Sequence, residues 1–460
     1  MKILFVIRSV AHFTYYESII KHLCTRNHKV RVLFDKRWSE GYSDKTVKRF
    51  IKTNRNISVS WLIRRNDIWR PLLFFCRELL AYFNYLNHKD QSEYYLKRWK
   101  KYQPALIRPF LNIETINTLL SGRVIQSLLR YIEGIIPPDV GIVKHIKDYK
   151  PEVVIAGPAN MRYSEEIEYI KAGKSLNIPT LIPVYSWDNL MTKGLFHVIP
   201  DLLVVWNSLQ KKEAEEFQNI PSEKIIITGS PFFDKWFGNI KKFRIAKTYF
   251  YNKLGLEKNV KYVVYLGSSA NIAYDETWII TNLAQEFKKS NDNNVKKMVI
   301  LVRPHPANAK IYEKLNHSNV IVWPKEGILA GTDNSLSDFY NTLYYSIGTI
   351  GINTSAMIDA VILDKPCITF LTDEYEQTQI EALHFQYLYN YRVLYIVKST
   401  KKCIDTVARL SEGFDSKKEI RHRFVREFIR PNGLAQSAGE IIAQAIERIY
   451  EHHRRIKNII

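Results

Sequence analysis

A chain of 460 residues is too long for one small core and points to two or three domains of ordinary size. A hydrophobic content of 46% and a charged content of 25% are normal for a globular protein, but the formal net charge of +21 calls for an anionic partner such as a nucleotide, a nucleic acid or a phospholipid surface. Cys24, Cys76, Cys367 and Cys403 are scattered without CxxC spacing, which argues against a zinc site or a disulfide framework and fits a reducing cytosol.

The opening segment MKILFVIRSV has too few apolar residues for a signal peptide or a membrane span and reads as the first buried strand of a parallel sheet. Arg8 to His12 follow it, then a helix with apolar positions at Ile19, Ile20 and Leu23, then a second strand from Val30 to Phe34. Together these form a βαβ unit that lacks the GxGxxG dinucleotide fingerprint. Residues 61 to 135 interrupt the alternation with aromatics such as Trp61, Trp69, Phe74, Tyr82 and Trp99 mixed with Arg and Lys. Every 18-residue window there carries charge, which excludes a transmembrane helix. Two readings stay open for this region: helices lying in a membrane interface, or an inserted helical subdomain whose aromatics are core.

Alternation resumes at Pro151. A strand over 152–156, a helix over about 164–176 and a strand over 180–185 lead to Ser186-Trp187-Asp188-Asn189. A strand over 202–206, a helix capped by Ser208 and a strand over 225–228 reach Gly229-Ser230-Pro231, with Asp234 beyond. Residues 236 to 258 are basic and polar and read as a linker. A second α/β domain starts with a strand over 261–266 and Gly267-Ser268-Ser269 and continues to a strand over 298–302 that ends in Arg303-Pro304-His305-Pro306. Residues 345–370 then give strand, polar turn, helix and strand, with Asn353, Thr354 and Ser355 in the turn. A break at 428–433 precedes a final helix from Ala435 to about Arg455.

In an open parallel sheet, ligands bind beyond the carboxyl ends of the strands, so the polar turns after strands are the candidate sites. Hydroxyl and amide side chains at a strand-to-helix turn leave backbone N–H groups and the positive end of a helix dipole for a phosphate. Ser355 and Asp359, four apart, share one helix face, at a separation suited to a diphosphate and its ribose. In Arg-Pro-His-Pro two prolines stiffen a turn that carries a guanidinium and an imidazole, a pair of donors for phosphate oxygens. The alternative for that turn is an arginine that ends a strand on a carboxylate.

Three motifs, RPHP after a strand, GSP-x-x-D, and NTSAMIDAVILDKPCITF, resemble the nucleotide-binding half of GT-B glycosyltransferases. Capsule and lipopolysaccharide Kdo transferases, His-Pro-motif sialyltransferases and CDP-glycerol glycerophosphotransferases are the nearer likenesses, strongest over about 225–440. The resemblance implies an α/β GT-B architecture, two Rossmann-like domains facing a cleft, with a helical insertion of about 61–135 in the first. Residues 1–240 form the acceptor-side domain, 241–433 the nucleotide-sugar domain, and 434–460 a helix that crosses back. It further implies that His305, Arg303, Thr354 and Ser355 contact the donor phosphate, Asp359 the ribose, and Gly267 and Ser268 the donor from the first strand of their domain. Asp359 stands where Glu is commoner in the family, which weakens the case for its ribose role. His12 or Asp188 is the expected base that deprotonates the acceptor. Neither a metal nor another cofactor is expected.

The expected function is transfer of a sugar from a nucleotide-activated donor to a glycan or lipid-linked acceptor in surface polysaccharide synthesis. The expected location is the cytoplasm, with an anionic membrane surface as a further partner. A CDP-polyol phosphotransferase and a UDP-sugar 2-epimerase are the alternatives of the same fold. A non-enzymatic basic binder of nucleic acid or lipid is the alternative of another class, although no nucleic-acid module is visible and no specific nucleic acid is expected.

Overall fold

Apolar runs such as Lys2–Ile7 (β1) and Val153–Gly157 (β4) are buried along nearly their whole length, as strands of a parallel sheet covered on both faces must be. The computed structural model describes all residues except 42, 89–91, 239, 329–331 and 460. The chain divides into two units, Met1–Lys235 with Glu427–Ile460, and Trp236–Arg426.

In the first unit β1, β2 (Lys29–Phe34), β3 (Ile57–Trp61), β4, β5 (Thr180–Pro183), β6 (Leu202–Val205) and β7 (Ile225–Ile227) form one parallel sheet in the order β3-β2-β1-β4-β5-β6-β7. The order reverses direction between β1 and β4, which puts a ligand crevice beyond their carboxyl ends. Helix α1 (Phe13–Thr25) buries Phe13, Tyr16, Ile19, Ile20 and Leu23, a stripe at helical spacing, in the core on one side of this sheet.

Four longer helices lie between β3 and β4: α2 (Arg70–Leu86), α3 (Glu93–Tyr102), α4 (Arg123–Ile135) and α5 (Val140–Tyr149). The aromatics of this insertion divide. Tyr82, Phe83, Tyr85, Tyr95 and Trp99 are core, whereas Trp61 and Trp69 are exposed. In α4 the side facing the protein carries Gln126, Leu129 and Glu133, and the apolar stripe Val124, Leu128, Tyr131 and Ile135 faces outward. Among the described residues no helix is long and apolar enough to cross a membrane. The helix α6 (Glu166–Ser175) follows β4 and is buried along most of its length.

The second unit holds β8 (Tyr262–Leu266), β9 (Val299–Arg303), β10 (Val320–Val322), β11 (Thr349–Gly351), β12 (Cys367–Phe370) and β13 (Leu394–Val397), all parallel, in the order β10-β9-β8-β11-β12-β13. Here the reversal lies between β8 and β11. The short helix α7 (Ala356–Ile362) leaves the polar turn after β11. Residues 236–258, expected from their composition to be a linker, are instead built into this unit. Trp236 and Phe243 are buried, and a helix over Lys247–Leu254 inserts Phe250 and Tyr251 while its lysines stay on the surface.

From Glu427 the chain is again part of the first unit, and α8 (Ala438–Ile459) packs along α1 with Ile442, Ala443 and Ile446 in the same core. Asp234, four residues beyond Ser230, fastens this return. Its carboxylate accepts from Ser18 Oγ at 2.5 Å, from the N–H groups of Ala438 and Gly439, and from Arg430 Nη2 at 2.8 Å. Gly229 has φ +86° and lies so close to the Ile429 carbonyl that a Cβ would meet its oxygen at 2.7 Å, which leaves glycine as the residue for that position.

Candidate functional site

In the second unit the sequence-predicted residues collect at the carboxyl ends of β8, β9 and β11. Leu266 is in register with both Arg303 and Gly351, so Gly267, Pro304 and Ile352 leave the sheet side by side. The His305 ring caps the turn that follows: its Nδ1 accepts the Ala307 N–H at 3.1 Å. A nitrogen that accepts carries no proton, and burial lowers the imidazole below its ordinary pKa, so the neutral ring presents Nε2–H as its donor.

Arg303 has a different position from the one expected for a phosphate ligand. Its guanidinium is buried, pairs with Asp338 at 3.0 Å, reaches Thr342 Oγ1 at 3.3 Å and lies over the Phe339 ring. The arginine that ends β9 therefore rests on a carboxylate. Gly267 and Ser268 are also turned to internal use. Gly267 lies against the Tyr312 hydroxyl, while the Ser268 N–H donates to Glu276 Oε1 at 2.5 Å. Glu276 is fully buried and also accepts from Tyr265 at 3.0 Å and Tyr312 at 2.6 Å. Burial raises its carboxyl above the ordinary range although these donors favour the charged form. An internal carboxylate thus takes the backbone N–H that the sequence offers to a donor phosphate.

After β11, Ser355 is exposed without a capping bond and Thr354 is buried behind it. Asn353 is buried, donates to the Thr378 carbonyl at 2.7 Å and lies 3.2 Å from His384 Nε2. Asp359 is buried one turn into α7, where it accepts the Trp236 indole N–H at 2.5 Å. Of the sequence-predicted residues of this unit, His305 and Ser355 keep their polar groups presented, His305 through Nε2 and Ser355 on the surface.

In the first unit the two candidate bases lie in one cluster at the carboxyl ends of β1 and β5. Ser9 Oγ lies 2.7 Å from His12 Nδ1, and the His12 ring meets Tyr185 edge-on with centroids 5.7 Å apart. Burial, helped by the positive charges of Arg8 and Lys193, lowers His12 to about 4, so the imidazole is uncharged at neutral pH. Asp188 is held by Lys193 at 2.9 Å, Ser186 Oγ at 2.5 Å and Thr192 Oγ1 at 3.1 Å. A carboxylate so occupied is a poor proton acceptor; the neutral His12 ring keeps an unprotonated nitrogen, although burial makes it less basic than a free imidazole. Burial opposes the Lys193 charge, but Asp188 and Tyr185 outweigh it and raise the ammonium above its ordinary value.

Sequence reading singled out neither Glu276 nor Lys193. Glu276 opens a helix eight residues after Ser268 and Lys193 follows Asp188 by five, so each had only proximity to a candidate turn as a signal.

Residues 195–433 match the sequence model of a family described as CDP-Glycerol:Poly(glycerophosphate) glycerophosphotransferase. No curated protein matches the sequence. Among solved structures, UDP-GlcNAc 2-epimerase from Neisseria meningitidis, bound to UDP-GlcNAc, is similar at TM-score 0.55 and 13% identity over 97% of this chain and 100% of that chain. UDP-GlcNAc 2-epimerase from Methanocaldococcus jannaschii is similar at TM-score 0.53 and 14% identity over 97% and 100%. A variant of the wall teichoic acid polymerase TagF is similar at TM-score 0.51 and 12% identity over 99% and 90%. At such identities the likeness is one of fold, the two-domain α/β architecture of the GT-B class.

Proposed function

Because the chain belongs to the CDP-glycerol:poly(glycerophosphate) glycerophosphotransferase family, we propose that it moves the polyol phosphate of a CDP-activated donor onto a hydroxyl of a glycan or lipid-linked acceptor in surface-polymer synthesis. The observation that carries this reading is His305. Its ring lies within the matched span, at the carboxyl edge of a parallel sheet, with Nδ1 committed to the backbone and Nε2–H left to donate to a phosphate oxygen. In the step, the acceptor oxygen attacks the phosphorus that bears the polyol. The new O–P bond forms as the bond from that phosphorus to the bridging oxygen of the diphosphate breaks, and CMP leaves with the electron pair. His12 Nε2 takes the hydroxyl proton, and Ser9 holds the other ring nitrogen. The chemistry is proposed to run without a metal.

The exposed stripe of α4 supports attachment to a membrane surface, where a lipid-linked acceptor resides. Val124 in this helix is 80% exposed, as are Leu106 (86%) and Leu119 (74%) in the segment before it, and Arg108, Arg123 and Arg130 are also on the surface. Apolar side chains open to water and flanked by cations suit an anionic lipid interface.

The test is release of CMP from CDP-glycerol and CDP-ribitol, with and without a glycerol-phosphate oligomer as acceptor, each in the presence and absence of EDTA. Acceptor-dependent CMP release supports the reading. Turnover of a nucleotide-sugar with none of either CDP-polyol returns the enzyme to glycosyl transfer, and CMP release that EDTA abolishes removes the metal-free step.

A further inference from the structure

The first unit contains a cavity of about 250 Å³ that none of the candidate catalytic or donor-binding residues lines. One wall is a single face of α2, formed by Arg70, Leu73, Phe74, Arg77 and Glu78. The opposite wall is the segment from Ala159 to Glu168, which leaves β4 and begins α6. The cavity is smaller than the roughly 300–1,000 Å³ of sites that enclose drug-sized ligands, and it suits one small unit.

Its charges are nearly all spent on one another. Arg65 pairs with Glu168 at 2.9 Å and Asp67 at 2.6 Å. Arg77 pairs with Glu133 at 2.7 Å and Glu168 at 2.6 Å, and Arg70 with Glu165 at 3.0 Å. Glu78 accepts from Arg162 at 2.7 Å. An anion entering here must break a buried pair, and so must a cation, whereas hydroxyl groups can add to lone pairs and N–H bonds already in place. His197 offers a further contact. Burial and the Arg77 charge lower it to about 3, so the ring is neutral, and among the described residues its buried Nδ1 has no hydrogen-bond partner.

A second feature independently marks the same place. Tyr163 has φ +56°, a left-handed conformation that a bulky side chain adopts only at a cost, and its surroundings hold it there. Its ring stacks on Phe74 with centroids 4.4 Å apart and planes 6° from parallel, under the guanidinium of Arg162 at 4.8 Å. Backbone strain held in place by an aromatic stack at the wall of a cavity is the pattern of a ligand clamp rather than of plain core.

We propose that this cavity, between α2 and the segment joining β4 to α6, binds one uncharged, hydroxyl-rich unit, a sugar or polyol residue. The inference rests on the proposed transfer to the extent that such a unit belongs to the acceptor. All residues that line the cavity belong to the first unit, whereas His305 and Ser355 belong to the second.

The experiment is saturation-transfer NMR on the full chain with glycerol, glucose and N-acetylglucosamine as neutral probes and glycerol 3-phosphate and inorganic phosphate as charged ones, alongside CMP titration. One or more neutral probes should bind, and Met161→Trp, which fills the cavity, should weaken them about tenfold while CMP affinity is unchanged. Phe74→Ala, which removes the stack, should weaken them too, and it decides the matter if the tryptophan variant does not fold. Preference for the phosphate-bearing probes, absence of any neutral binding, or full neutral binding in a folded, filled variant overturns the proposal. Failure of CDP-glycerol turnover with neutral binding intact rejects the proposed function alone.

Discussion

Ser9 Oγ and His12 Nδ1 lie 2.7 Å apart at the end of β1, and in the tautomer in which Nδ1–H donates to Ser9, Nε2 is the nitrogen that can accept a proton. His12→Ala should lower kcat about 10²–10⁴-fold with nucleotide affinity nearly unchanged, because the base acts in the transition state rather than in donor binding. Ser9→Ala should give a smaller loss of the same kind. Asp188→Asn should affect unfolding more than turnover, since its carboxylate is occupied by Lys193 and two hydroxyls. Single-turnover CMP release and nucleotide titration separate the three.

The lowered pKa of His12 has a kinetic signature. An imidazole at its ordinary value gives an acid limb in kcat/KM near 6.5, whereas this ring should lose its proton-accepting form only as pH falls toward about 4. A limb at 6.5 that persists in Ser9→Ala would falsify the assignment of His12 as a buried neutral base.

His305→Ala should weaken CMP binding and lower turnover together. His305→Gln can still place an N–H donor in the turn and should recover part of the binding. Isothermal titration with CMP and with CDP-glycerol reads both effects.

Glu276→Ala should cost about 2–4 kcal/mol of stability, because it leaves the Ser268 N–H and the hydroxyls of Tyr265 and Tyr312 buried without an acceptor. Urea unfolding gives the value. A change below ~0.5 kcal/mol would show that these donors find water or one another.

Glu166 gives the pH dependence of stability a second sign. Burial raises its carboxyl from the ordinary 4.5 to about 7, against the pull of Arg8 and Ser164, so the folded chain holds a proton there that the unfolded chain has lost. Its stabilising contribution is complete below 4.5 and declines as pH rises through 7. His12 and His197 act in reverse: their contributions are present above 6.5 and decline as pH falls through about 4 and about 3. Glu166→Gln should therefore raise the urea midpoint at pH 8 and leave it nearly unchanged at pH 5.

The sequence made the parallel strands legible because runs such as Val153 to Gly157 and Tyr262 to Leu266 are apolar at successive positions, a pattern that one-sided strands do not give. The turns after them were legible for the same reason, since each run stops at polar residues. What those polar residues touch was not legible. Arg303 meets an aspartate 35 positions away on a helix, and no local pattern distinguishes that partner from a phosphate. Periodicity in 123–135 marks an amphipathic helix, but it does not say that the apolar stripe is the side left in water. Residues 236–258 look like a linker because many of their surface positions are lysines, while the buried aromatics Trp236, Phe243, Phe250 and Tyr251 supply the docking.

The fastening of α8 by Asp234 and Arg430 also sets an order in time. The groove on α1 that receives Ile442, Ala443 and Ile446 leaves the ribosome early, but its cover is encoded beyond Arg426. The whole of the second unit, roughly 190 residues, is translated in between, an interval of about 10–40 s at ~5–20 residues per second. The unit that begins the chain is therefore the last to close, and throughout that interval its apolar groove stays open to a chaperone or a neighbouring nascent chain.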